Sequence, residues 1–216
     1  MTRSPAPMAA PAHTQPAMGQ PHPHESARAQ VTGGASYIDD LPEVRGTLYA
    51  APILSRIAHG HLHGVDASAA LQLPGVRSVV LAADVPGDKL LAAFAHDEPV
   101  FAKDVVQHAG QVVGLNVADT VQAARHAARH VQLDLAPLPA VLNVQQALAQ
   151  QNYVLPPVFV RRGDAAAALA RAPHRLRGQL EVGGQEHFYL EGQIAYALPQ
   201  EQGQWLIHSS TQHPGE

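Results

Sequence analysis

The chain has 216 residues, and its hydrophobic fraction of 46% is enough to build the core of one large or two small domains. The formal net charge of -4 lacks the basic footprint that nucleic acids attract, so nucleic acid is not expected as a partner. Cysteine is absent, which excludes disulfides, zinc–thiolate sites and iron–sulfur ligation by this chain.

Residues 1–29 are rich in Pro, Ala and His, and they are predicted to form a disordered tail. The prolines interrupt any apolar run of the kind found in signal peptides. No segment approaches the roughly 18 consecutive apolar residues that a membrane helix needs, so neither a membrane span nor a membrane partner is expected. The default prediction is a cytoplasmic protein.

Residues 30–140 are predicted to form the first ordered domain, which mixes strands and helices. A short helix is predicted over 67–73, capped by Asp66, and a second helix is predicted to begin at Asp119 or Thr120. Strands are predicted at 47–54, 57–65, 76–82, 111–117 and 131–135. The apolar stripe of the second helix is predicted to consist of Val121, Ala124, Ala128 and Val131. A strand, a helix and a strand in this order are typical of a βαβ-like unit.

Residues 141–160 are predicted to be a linker that contains one short helix over 144–150. The second domain is then predicted to occupy 161–216, with a helix over 165–171. Its strands are predicted at 175–182, 194–198 and 205–209. Three strands and one short helix leave one edge and one face of the sheet uncovered. This domain is therefore expected to be incomplete.

The run from Gly183 to Gln193 is the least ordinary part of the sequence, because polar groups and aromatics are crowded between glycines. It is predicted to follow directly after a strand. The composition suits a cofactor wall or a buried polar network, and a loop with satisfied polar groups is the simpler alternative.

Two groups of histidines have spacings that could suit a metal. His59, His61 and His63 alternate along one predicted strand and would point to the same face, although a solvated strand face is the favoured interpretation. His126 and His130 are one turn apart on a helix, but the glutamate of the zinc-protease pattern is missing, which favours an exposed helix face. No nucleophile elbow or phosphate-binding glycine loop is present, so the residues themselves indicate no catalytic group.

Four segments in order resemble the molybdenum-binding large subunit of bacterial xanthine dehydrogenase, within the xanthine oxidase and aldehyde oxidoreductase family. They are Tyr37-Ile38-Asp39-Asp40, Gly110-Gln111-Val112-Val113, Gly183 to Gln193, and Ser210-Thr211-Gln212-His213-Pro214. The resemblance implies an α+β chain, with an α/β-hammerhead domain followed by the truncated start of a molybdopterin-binding domain.

The resemblance also implies site residues. Gln212 matches the glutamine that approaches an oxygen ligand of the molybdenum, where an amide can donate a hydrogen bond. Gln185 and Glu191 match further motif positions, and they are interpreted as supporting or structural residues. The catalytic glutamate, the substrate-orienting arginine and a glycine-rich cofactor segment lie in the family beyond residue 216. No catalytic residue and no direct metal ligand is therefore assigned here, and molybdenum-molybdopterin would be bound mainly by residues outside this chain.

The implied activity is hydroxylation of hypoxanthine and xanthine to urate, with electrons passing to NAD through 2Fe-2S clusters and FAD on a partner subunit. The complete form is expected to be a hetero-oligomer, and this chain alone is expected to be inactive. One alternative is an aldehyde or N-heterocycle oxidoreductase of the same family. Another is a non-catalytic hammerhead binding module, which predicts a covered second domain where the incomplete enzyme predicts an exposed apolar sheet.

Overall fold

The computed structural model describes residues 18–91, 96–189 and 191–212. The helices are α1 Ala27–Thr32, α2 Ser68–Leu71, α3 Val121–Ala128, α4 Val144–Ala149 and α5 Ala165–Arg171. The strands are β1 Tyr49–Leu54, β2 Gly60–Asp66, β3 Val76–Leu81, β4 Leu90–Leu91, β5 Glu98–Pro99, β6 Val105–Val106, β7 Val112–Ala118, β8 Gln132–Pro137, β9 Ala195–Pro199 and β10 Trp205–Ser209. The described residues divide into two compact units: a larger unit within 43–187, and a smaller unit made of 18–42 and 188–212.

Two three-stranded antiparallel sheets form the larger unit. One has the order β1-β7-β3 and the other has the order β6-β2-β8. The strands that flank α3 therefore belong to different sheets, and the predicted βαβ-like unit is wrong. Alternation along each strand identified the strands correctly, but sequence order does not reveal which strands pair.

Helix α3 packs on the β1-β7-β3 sheet through small side chains. The Thr120 hydroxyl accepts a hydrogen bond from the Ala123 amide at 3.1 Å, which fixes the start of the helix at a predicted position. Ala124 and Ala127 are fully buried, whereas Val121 is 37% exposed and does not belong to the stripe predicted for it. Alanines allow the helix to lie close to the sheet, where Ala124 contacts Ala51 and Ala118.

The main core joins both three-stranded sheets with helices α2 and α3. Its buried members are Ile53, Leu62, Ala70, Ala102, Val106, Val113, Ala127 and Val131. Apolar burial of this kind stabilises a fold by about 25 cal/mol per Å² removed from water. The larger unit therefore carries a packed core of its own.

Two glycines allow close backbone approach inside the strands. A Cβ on Gly60 would lie 2.4 Å from Ile57 Cδ1 and 2.7 Å from the Ala136 carbonyl oxygen. A Cβ on Gly114 would lie 2.5 Å from the Val80 carbonyl oxygen. Both positions exclude a larger residue for steric reasons.

Asn116, at the centre of β7, is fully buried, and neither its amide nitrogen nor its amide oxygen has a hydrogen-bond partner among the described residues. It stands opposite Ala51 on β1 and Val79 on β3, so its side chain lies on the same face of the sheet as theirs. Burying an unpaired amide costs about 1–3 kcal/mol.

Residues 138–187 carry two capped helices with little packing. The Asn143 side chain accepts from the Gln146 amide, and the Asp164 side chain accepts from the Ala167 amide, both at 2.9 Å. The strand predicted over 175–182 is absent from the structure, and all eight residues are exposed without strand pairing. Alternating residues form a strand only when another strand pairs with them, and no described strand pairs with 175–182. The run from Gly183 therefore does not follow a strand.

The smaller unit begins with α1, which starts at Ala27 and ends at Gly33 in the left-handed conformation (φ 71°). The amides of Gly34 and Ala35 both donate to the Ala29 carbonyl at 2.8 and 3.0 Å. Helical structure therefore starts within the last three residues of the predicted tail, which corrects that part of the prediction. Residues 1–17 of the tail lie outside the described residues, and the other predicted domain boundaries remain predictions.

Candidate functional site

The β9–β10 hairpin places the Ser-Thr-Gln segment at the end of β10. Strand pairing ends at Ser209 opposite Ala195, and Ser210 continues the contact through its neighbour Ile194. The Ser210 amide donates to the Ile194 carbonyl at 3.1 Å, and the Ile194 amide donates to Ser210 Oγ at 3.0 Å. Ser210 Oγ also lies 3.3 Å from the Ile194 carbonyl, to which it can donate its proton.

Gln212 leaves the hairpin two residues after this contact, and its side chain is exposed. An exposed carboxamide offers two N–H donors and one acceptor to a ligand. Gln212 is therefore accessible, and the role predicted for it remains a prediction. His213 and Pro214, the last two residues of the segment, lie outside the described residues.

In the smaller unit, the Tyr37–Asp40 motif contacts the end of the Gly183–Gln193 motif. The Ile38 amide donates to Glu191 Oε1 over a long 3.5 Å, and the Tyr37 amide donates to Asp40 Oδ2 at 2.9 Å. A Cβ on Gly192 would lie 3.8 Å from Asp39 Oδ2, so this glycine lies beside the same turn. Glu191 thus contacts the start of the 3₁₀ turn Ile38–Asp40, and the supporting or structural role predicted for it remains a prediction. Sequence analysis singled out both motifs but gave no signal that they touch.

The rest of the Gly183–Gln193 run is split between the two units. Gln193 Nε2 donates to the Tyr189 hydroxyl at 2.6 Å, within the smaller unit. Phe188 has φ 51°, a left-handed conformation that costs a residue other than glycine about 1 kcal/mol or more. Gln185 is exposed and belongs to the larger unit, whereas Gln212 belongs to the smaller one. The supporting role predicted for Gln185 remains a prediction.

The histidines do not form a metal site in the part of the chain that the structure describes, where no group of three or more His, Cys, Asp or Glu side chains could hold a metal ion. His61 and His63 are exposed on β2 with ring centroids 6.1 Å apart, while His59 precedes the strand and bonds through Nδ1 to the Pro139 carbonyl at 2.8 Å. The solvated strand face is therefore the better interpretation.

The helical pair is also explained by local structure. His130 Nδ1 bonds to the His126 carbonyl at 2.9 Å, and the two rings lie 4.4 Å apart on the exposed face of α3. One nitrogen of His130 is thus already used by the helix. The exposed helix face favoured from the sequence agrees with this arrangement.

Charge interactions with a clear effect on titration lie in the larger unit. The Asp119 carboxylate accepts from Arg77 Nε and Nη2 at 2.7 and 2.8 Å and raises the pKa of that guanidinium. The hydroxyl and amide of Ser68 lower the pKa of Asp66, and the amide of Leu90 lowers the pKa of Asp88.

A groove of about 400 Å³ on the larger unit runs between β1 and α3, beside Arg56, Arg125 and Arg129. Neither Gln185 nor Gln212 lines this groove.

Family comparisons match both regions of the chain. Residues 32–139 match the hammerhead domain of aldehyde oxidase and xanthine dehydrogenase, and residues 146–216 match a molybdopterin cofactor-binding domain. The fold class is thereby confirmed: a mixed α and β chain in which a hammerhead domain precedes a region of the molybdopterin-binding domain. This order of domains defines a molybdenum hydroxylase architecture.

The chain belongs to the xanthine dehydrogenase and aldehyde oxidoreductase family. It is 42% identical over 202 residues to a xanthine dehydrogenase of Oryza sativa, and 38% identical over 197 residues to the xanthine dehydrogenase/oxidase of Gallus gallus. These alignments cover 92% and 91% of the chain but only 15% and 14% of the respective relatives, so the chain spans about one seventh of their length.

Solved structures agree with this assignment. The aldehyde oxidoreductase of Desulfovibrio gigas aligns with a TM-score of 0.74 and 31% identity over 87% of this chain and 23% of its own. Quinoline 2-oxidoreductase of Pseudomonas putida aligns with a TM-score of 0.74 and 26% identity over 87% of this chain and 26% of its own. The fold is therefore shared by family members whose names indicate different substrates.

The exposed Gln212 amide can bond to polar atoms of a larger group such as a cofactor. Within the described ranges, no group of three or more His, Cys, Asp or Glu side chains could hold a metal ion. Among the described helices, none has both the length and the apolar character needed to cross a membrane.

Proposed function

We propose that the chain provides the hammerhead domain and one part of the cofactor site of a xanthine dehydrogenase, which hydroxylates hypoxanthine and xanthine to urate in purine catabolism. The observation that carries this proposal is the identity of 38–42% to xanthine dehydrogenases over more than nine tenths of the chain. In this proposal the 2Fe-2S clusters and FAD that pass electrons to NAD belong to a partner subunit; these 216 residues contain no cysteine that could ligate a cluster. The assembly would be a cytoplasmic hetero-oligomer.

Gln212 is the cofactor-contacting residue in this proposal. When bound, the molybdenum cofactor supplies the redox chemistry and the activated oxygen of the hydroxylation. Gln212 offers an amide N–H to the cofactor, and the hairpin holds its backbone in place through Ser210 and Ile194. Gln185 has a supporting role in the same proposal. No residue of this chain acts as the base, so the 216 residues alone are inactive.

Two observations favour a cofactor-binding role over a non-catalytic hammerhead module. Residues 146–216 match a cofactor-binding domain, although a module would not need one. Trp205 and Ile207 of β10 are each 63% exposed, whereas the module predicts a covered second domain.

An aldehyde or N-heterocycle oxidoreductase is the second candidate. It is supported by the likeness to the aldehyde oxidoreductase of Desulfovibrio gigas, at 31% identity. The lower identity makes it the weaker candidate.

The test is a substrate comparison with the assembled holoenzyme that contains this chain. Xanthine, benzaldehyde and quinoline are offered separately with NAD, and urate and NADH formation are measured. We expect kcat/KM for xanthine to exceed that for the other two by at least about tenfold, as differential binding of substrates allows. A preference for benzaldehyde or quinoline would replace the proposal with the second candidate. Xanthine turnover by the purified 216-residue chain, with stoichiometric molybdopterin, would refute the proposed inactivity of the chain alone.

A further inference from the structure

We infer that Ser210 is a positioning residue that fixes the location of Gln212, an inference that rests on the proposed role of Gln212. Ser210 is the first residue after the paired part of β10, and Gln212 follows two residues later. Only one residue separates Ser210 from Gln212, so the backbone position of Ser210 affects that of Gln212.

The hydroxyl of Ser210 does what strand pairing does elsewhere in the hairpin. It accepts from the Ile194 amide at 3.0 Å and lies 3.3 Å from the Ile194 carbonyl, while the Ser210 amide donates to that carbonyl at 3.1 Å. Because one side chain both accepts from and donates to the same residue, its rotamer and the distance between the two strand ends are fixed together.

Packing does not replace these bonds. A two-stranded hairpin is only marginally stable in water, and the apolar residues of β10 are exposed, with Trp205 and Ile207 as the clearest cases. The end of β10 is consequently the place where the hairpin would open first. Ser210 closes that end beside the residue whose position matters for the cofactor.

The chemistry of the hydroxyl also argues against a direct catalytic role. Its proton and one of its two lone pairs are directed to the backbone of Ile194, and the residue is half-buried. It is therefore a support for Gln212 and not a group that touches substrate. A displacement of about 1 Å in a reacting constellation can cost about a hundredfold in rate, so such a support has a measurable effect.

The test uses the holoenzyme containing this chain with Ser210→Ala, Ser210→Thr and Ser209→Ala. Ser209 is the matched control, because it is an exposed serine on the same strand. We expect Ser210→Ala to lower kcat for xanthine by at least about tenfold, with KM changed by less than about threefold. Ser210→Thr keeps a hydroxyl and should recover most of kcat, and Ser209→Ala should match the wild type.

A double-mutant cycle with Gln212→Ala separates positioning from general damage. If Ser210 acts through Gln212, adding Ser210→Ala to Gln212→Ala lowers kcat no further. If Ser210→Ala lowers kcat by the same factor in both backgrounds, its role is merely structural and the inference is wrong.

Amide hydrogen exchange of the cofactor-free protein gives a readout that does not depend on activity. Ser210→Ala should speed exchange at the Ile194 and Gln212 amides by about tenfold, and Ser209→Ala should not. Unchanged exchange would overturn the inference. Faster exchange combined with full activity of Gln212→Ala would instead refute the proposed function and leave the positioning intact. If Ser210→Ala does not fold, Ser210→Cys, which has a weakly bonding thiol of similar size, replaces it in every measurement.

Discussion

The two parts of the chain differ in how they are held together. Every fully or nearly fully buried apolar residue of the described chain lies between Ala51 and Val131, inside the larger unit. The β9–β10 hairpin has a regular register of five residue pairs but no buried side chain, and the Ser210 hydroxyl adds a bond to Ile194 at one end. Apolar burial and the Ser-Thr-Gln segment are therefore located in different regions.

This difference has a consequence for β10. Trp205, Leu206 and Ile207 are consecutive, and all three are exposed. Contiguous exposed apolar groups mark a surface that another element covers or that promotes association. The hairpin is thus a region that needs support from elsewhere, whereas the larger unit supplies its own.

Removing a core side chain is the strongest way to test this contrast. Ile53 is 2% exposed, and Ile53→Ala should lower the free energy of unfolding by about 2–5 kcal/mol, because it loses transfer energy and leaves a cavity. Ile207→Ala is the matched change in the hairpin and should cost no more than about 0.5 kcal/mol. Urea unfolding of both variants measures the difference. Equal losses would show that the hairpin is packed as tightly as the core.

Adding a methyl group at a glycine tests the close approach of the strands. Gly60→Ala places a Cβ against the Ala136 carbonyl and should destabilise the fold by about 1–3 kcal/mol. Gly64 is on the same strand with open space around its Cβ direction, so Gly64→Ala should be neutral or slightly stabilising. Thermal unfolding compares the two. A stable Gly60→Ala variant would mean that β2 and β8 can move apart at no cost.

The smallest expected effect is on titration at the surface of the larger unit. Bonds from the Ser68 hydroxyl and amide hold the pKa of Asp66 below its ordinary value. Such a group stabilises the folded state above its unfolded pKa, and this contribution is lost as pH falls through the lowered folded pKa. Ser68→Ala should move the pKa of Asp66 back towards its ordinary value, as followed by NMR titration of the carboxyl carbon.

Ser78→Ala, at an exposed serine of β3, is the control for that titration and should leave the pKa of Asp66 unchanged. If Ser68→Ala also leaves it unchanged, the hydroxyl is not the main cause of the shift.

Local sequence signals predicted the individual elements well. Helix α5 and strand β10 occupy the predicted ranges, because Asp164 caps the helix and β10 begins with the apolar run Trp205 to Ile207. The two-residue strands β4, β5 and β6 are too short to leave a periodic pattern. The false strand over 175–182 shows that alternation alone does not provide a partner.

The candidate site was predictable only through the resemblance. Family motifs drew attention to Gln212, but nothing in the sequence indicated that Ser210 bonds to Ile194 or that Glu191 meets the Ile38 turn, because these contacts join residues 16 and 153 positions apart. The close approach at Gly60 had a usable signal, since a glycine inside a predicted strand often marks such a position.

Asn116 is a position at which a substitution can make the larger unit more stable. Its buried amide has no hydrogen-bond partner among the described residues, so a leucine, which branches in the same way, should avoid the cost of burying unpaired polar atoms. Native proteins commonly retain such positions because selection needs only sufficient stability. Asn116→Leu is therefore a practical first substitution for raising the free energy of unfolding of the hammerhead domain. The site lies in the core of the larger unit and not in the hairpin that carries the Ser-Thr-Gln segment.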